Sequence, residues 1–212
     1  MNILRKALKL QFFLLFYTSL FTVSAYSVDT EISNTNTENV LRNLTEKNPV
    51  DKFNLPINND ISLNITIPQG LEFRYERPDN PHFIQYGDKD ILFSISNDRG
   101  GKLQAKESLE KGLKVMQDAS QVTILEQADH NYPGYMDGYR IVKVYDTKKN
   151  TTDIMYFYAG SGPNDSAGIL YAVRMKKDDN VDTVVQNVKK AFNASVKIID
   201  KSSKSKPIIK KQ

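Results

Sequence analysis

Three extended apolar runs follow one another closely in the second half of the chain, at residues 139–145, 154–159 and 169–175. β-Branched and aromatic residues crowd each run, the composition that suits a pleated, half-buried surface. Turn-forming segments, 146–153 and 160–168, separate them. Linkers this short join antiparallel neighbours, because a parallel pair needs a crossover of about a dozen residues or more. The stretch predicts the centre of one antiparallel sheet, and the rest of the chain must fold around it.

Ahead of that centre, Ile61, Leu63, Ile65 and Ile67 alternate with polar residues, the period of a half-buried strand, and Pro68-Gln69-Gly70 ends it at a turn. Further strands are expected at 71–75, 83–86 and 91–95, with turn chemistry at 87–90. Ala105, Leu109, Leu113 and Met116 share one helix face. Residues 122–125 read as a short strand, and 129–138, with Pro133, Gly134 and Gly138, as a loop. After the three central runs, Val181, Val184, Val185, Val188 and Phe192 form a second helical stripe, with Asp179 or Asn180 placed to cap it. Helices separated by runs of strands are an α+β plan, a twisted antiparallel sheet with two main helices against it.

The ends read differently. Arg5, Lys6 and Lys9 precede an uncharged, largely apolar run to residue 23, and Val23, Ser24 and Ala25 offer a cleavage site, so residues 1–25 are expected to be a secretory signal peptide. The alternative is an uncleaved anchor, although the run is shorter than the roughly 20 residues that span a bilayer. Residues 26–54 are polar and aperiodic, a flexible linker. The domain is expected at 55–200 and a disordered lysine-rich tail at 201–212.

Composition narrows the chemistry. The chain contains no cysteine, which excludes disulfides, thiolate nucleophiles and lipid attachment through an N-terminal Cys. The formal net charge of +4 is misleading. Lys201, Lys204, Lys206, Lys210 and Lys211 and the three basic residues of the leader stand without any acid, so the body between carries an acidic excess. A nucleic-acid binder needs its basic footprint on the folded domain, and no nucleic-acid partner is expected.

The element order resembles the PsbP-like fold, and within it the DcrB-like envelope proteins, over about residues 55–200. The matching features are the 61–67 strand entering its Pro-Gln-Gly turn, the 105–116 helix, the Gly138-Tyr139 start of a long strand, the strands holding Tyr156 and Tyr171, and the 181–192 helix running into Ala194-Ser195-Val196. The resemblance implies a sheet-and-helix sandwich and accessory binding in an extracytoplasmic compartment, with no catalytic residues and no cofactor. The chain departs from DcrB-like proteins in lacking a lipidated Cys.

Few residues invite chemistry. His82 and His130 are the two histidines; metal sites want clustered His, Cys or carboxylates, and both read as solvated loop residues. The segment 160–168 lacks the Gly-Lys-Ser/Thr of a phosphate loop and the Gly-x-Ser-x-Gly of a nucleophile elbow. Ser161, His130 and an acid converging in a pocket would instead make a small extracytoplasmic hydrolase, the alternative reading. Tyr132 and Tyr135 cluster in the Gly/Pro loop, and tyrosine is favoured at docking surfaces for its large rigid ring and polar tip. They are the expected partner-binding residues. The basic tail reads as a solvated end, with a tether to anionic lipid as its alternative. Taken together, the residues point to a non-enzymatic, secreted or periplasmic accessory protein that docks a protein partner, with no metal and no cofactor.

Overall fold

The computed structural model describes residues 52–78, 82–99, 104–163 and 165–201. The elements run β1 (Lys52–Pro56), β2 (Ile61–Thr66), β3 (Glu72–Arg77), β4 (His82–Gly87), β5 (Ile91–Arg99), α1 (Ala105–Ala119), β6 (Gln121–Tyr132), β7 (Tyr135–Asp146), β8 (Thr151–Ser161), β9 (Asp165–Arg174), α2 (Val181–Ser195) and β10 (Val196–Asp200). The signal peptide, most of the linker and the tail beyond Lys201 lie outside the described residues. No helix among the described residues is long and apolar enough to cross a membrane.

The expected α+β sandwich, one sheet flanked by two helices, is corrected. Strands hold 58% of the described residues and form two antiparallel sheets. One has the order β3-β4-β5-β9-β8-β7-β6, the other β1-β2-β10. The second sheet exists because β2 takes both its neighbours from the ends of the domain. Ile65 pairs with Phe53 on one side and with Val196 on the other. Leu63, Ile65 and Val196 share one core with Phe93, Ile141, Ile154 and Ile169 of the large sheet. A β-layer thus stands where helix alone was expected. The same face takes α2, whose Val184, Val185, Val188 and Phe192 are buried as its stripe predicts. Asn180 caps that helix, its side chain accepting the Thr183 N–H at 3.1 Å. Helix α1 packs on the other face, against β6, β7 and β8, through Leu109, Leu113 and Met116.

The central runs sit where expected. β7, β8 and β9 are consecutive antiparallel neighbours, with Ile141 opposite Tyr156 and Tyr156 opposite Tyr171. Fully burying an isoleucine side chain contributes about 1.5–3 kcal/mol, and Ile141, Ile154 and Ile169 are all completely buried. The largest departure is at 129–138. The expected loop is β-structure throughout except Pro133-Gly134, and β6 and β7 form a hairpin of twelve residues on each arm. β6 tolerates polar residues because it is the edge of the sheet.

Candidate functional site

The hairpin turn is Tyr132-Pro133-Gly134-Tyr135, with the two tyrosines directly paired. Proline pre-sets the backbone for the first central position, and Gly134 takes the positive φ of +72° that the second demands. A Cβ at Gly134 would meet no atom within 4 Å, so conformation rather than space requires glycine there. The tip is braced from outside the hairpin: Asn58 Nδ2 donates to the Gly134 carbonyl at 2.9 Å.

Two residues inward, the register places His130 opposite Asp137, and Asp137 opposite Gly160 of β8. Gly160 leaves an opening in this row. A Cβ there would lie 3.1 Å from the Tyr158 hydroxyl and 3.2 Å from the Tyr135 hydroxyl. Beside that space three donors converge on one buried carboxylate. Asp137 Oδ1 lies 2.8 Å from His130 Nδ1. Asp137 Oδ2 accepts from the Tyr135 hydroxyl at 3.0 Å and from the Tyr158 hydroxyl at 3.3 Å. The two hydroxyls also touch each other. Asp137, Tyr135 and Tyr158 are all buried, so the carboxylate is held by hydrogen bonds in place of water. Burial, chiefly, drives both tyrosine hydroxyls well above their ordinary pKa of 10.0, and the Asp137 charge adds to this. They stay protonated, as donors must.

Above this network the surface is aromatic. Tyr132 is 51% exposed and stacks on Tyr135, ring centres 5.9 Å apart and planes 16° apart. His130, its ring half-exposed, lies 6.1 Å from Tyr132. Inward, the rings continue: Tyr158 meets Phe192 of α2, which stacks on Tyr156 at 4.0 Å, and Tyr156 stacks on Tyr139. Rings thus run from α2 to Tyr158, whose hydroxyl contact with Tyr135 joins them to the hairpin tip. Beside the tip a cleft of about 310 Å³ is lined by Gln104, Asn131, Tyr132, Met136, Ser161 and Pro163, among others.

Each expected site residue has a definite place. Tyr132 offers its ring to solvent, whereas Tyr135 is the buried support beneath it. His130 and Ser161 do not converge. His130 shares the Asp137 face, whereas Ser161 follows Gly160 and so points to the opposite face, where its Oγ accepts the Ala105 N–H at 2.9 Å. The histidines are not loop residues, a second correction. His130 lies within β6 and bonds Asp137; His82 opens β4 and pairs with Glu76 at 3.0 Å. Asp129, adjacent to His130, is bound bidentately by Arg140 at 2.6 and 3.1 Å. Asp137 and Tyr158 were not among the expected site residues. The signal for Asp137 was present in the Pro-Gly turn: once Tyr132 pairs with Tyr135, His130 must face Asp137.

No family model matches the chain, and no curated protein matches it. The PsbP- and DcrB-like resemblance is therefore not carried by a family match. Among solved structures, the crystal structure of LpqN, described as involved in cell envelope biogenesis of Mycobacterium tuberculosis, aligns with a TM-score of 0.42 and 9% identity over 79% of this chain and 99% of that one.

Proposed function

We propose that this chain is a non-enzymatic accessory protein working outside the cytoplasm, and that it docks a protein partner through the tip of the β6–β7 hairpin. The basic, apolar leader supports the compartment. The observation that carries the docking is Tyr132, a half-exposed ring stacked on a buried tyrosine whose hydroxyl is bonded to Asp137. A ring held in place before binding loses little freedom on contact, the property that makes tyrosine an anchor at interfaces. The neighbouring cleft gives a partner side chain somewhere to insert.

The test is photo-crosslinking in the producing cells, with the reactive group at position 132 and a control at Tyr75, an exposed tyrosine on the opposite edge strand. A discrete adduct from position 132 alone is expected. Equal adducts from both positions, or none from either, would reject the hairpin tip as the docking site.

A further inference from the structure

The two edges of the seven-stranded sheet are built differently. β3 is six residues long, is bulged between Phe73 and Tyr75, and carries Glu72, Arg74, Glu76 and Arg77 between Pro68 and Pro78. Charges, bulges and prolines are how edge strands avoid pairing with other chains. β6 is twelve residues long and, although it too is bulged, between Ile124 and Glu126, it holds no Lys, Arg or Pro. Among the described residues its outer side faces no other strand. Its two acids do not guard it either, because each is bound within its own fold: Glu126 to Lys189 at 2.7 Å and Asp129 to Arg140.

We propose that β6 pairs antiparallel with β6 of a second copy of this chain, about a two-fold axis at Ala128. Complementarity singles out this occupant and this register. With Ala128 opposite itself, Glu126 of each copy stands opposite His130 of the other. Both side chains project to the same sheet face, since Glu126 lies in the row of Ile141 and His130 in that of Asp137. Each has one atom committed and one open. Glu126 Oε2 accepts from Lys189, leaving Oε1; His130 Nδ1 is bonded to Asp137, leaving Nε2. Directly opposed residues of an antiparallel pair stand about 4.5–5.5 Å apart at Cβ, within reach for an imidazolium Nε2–H to donate to Oε1. Symmetry makes the contact twice. The regular register is bounded on one side by the bulge at Leu125. On the other it stops short of the Pro133-Gly134 turn, so the dimer carries two hairpin tips.

The test uses the purified full chain in sedimentation equilibrium up to about 300 μM, where weak pairs are still measurable. A dimer is expected. Glu126→Gln should weaken it at least about tenfold, the equivalent of one good charge-assisted contact, and Ala128→Lys, which opposes two ammonium groups at the axis, should leave a monomer. The chain has no cysteine of its own, so Ala128→Cys places one thiol per copy at the axis and should form a disulfide-linked dimer on mild oxidation. Ala128→Cys and Glu126→Gln decide the question if Ala128→Lys fails to fold. A monomeric wild type, or a dimer that Glu126→Gln leaves unchanged and Ala128→Cys fails to link, overturns the proposal.

Discussion

Replacing Asp137 with Ala removes the acceptor shared by His130, Tyr135 and Tyr158. The three donors do not fare alike. His130 is half-exposed and regains water. The two tyrosine hydroxyls are buried but retain each other, so one of the two is left without an acceptor. A stranded buried donor costs about 1–3 kcal/mol, and a hydrogen bond to a charged acceptor contributes about 1.5–3 kcal/mol. Releasing Asp137 from its own burial offsets part of this. The expected net loss is about 2–4 kcal/mol, or roughly 6–12 °C in Tm for a domain of this size. Urea and thermal denaturation at neutral pH measure it, and a double-mutant cycle with Tyr158→Phe isolates the coupling. A loss under about 0.5 kcal/mol, or strict additivity with Tyr158→Phe, would refute the hub.

Gly160→Ala should destabilise by about 1–3 kcal/mol, as overpacking does, because its methyl group enters the space where the two hydroxyls meet; wild-type stability in denaturation would show that the row has slack. Asp129 gives a pH signature. The Arg140 hydrogen bond holds its carboxyl below the ordinary value of 3.8, so the stability it adds is present above that value and is lost as pH falls through the depressed one. Asp129→Asn should lower stability at neutral pH and flatten its decline below about pH 4; an unchanged acid slope in pH-resolved denaturation would contradict the assignment.

What could be read from sequence followed burial. β7, β8 and β9 declare themselves because both faces are covered, and the helices because Leu109 and Leu113, or Val184, Val185 and Val188, recur at helical spacing. β6 hid because an edge strand with one covered side has no reason to be apolar: Gln127, Asp129 and His130 are exposed, and their polarity mimics a loop. The second sheet hid for another reason. Val196, at the far end of the domain, lies beside Ile65, and no local pattern records a pairing of that span. Tyr132 and Tyr135 lay in view, but their division of labour did not. Tyr132 and Tyr135 face each other across a two-residue turn, and only the row of Gly160 and Asp137 decides which of them is buried.

Tyr132 is the proposed anchor of a docking surface. The most direct measurement is the affinity of the crosslinked partner, once isolated, for wild type and Tyr132→Ala, alongside the Tm of both. An aromatic anchor truncated to alanine costs about 2 kcal/mol or more, so the account predicts at least about a thirtyfold rise in Kd, with Tm unchanged because the ring is half in solvent. Equal affinities at equal Tm would contradict it.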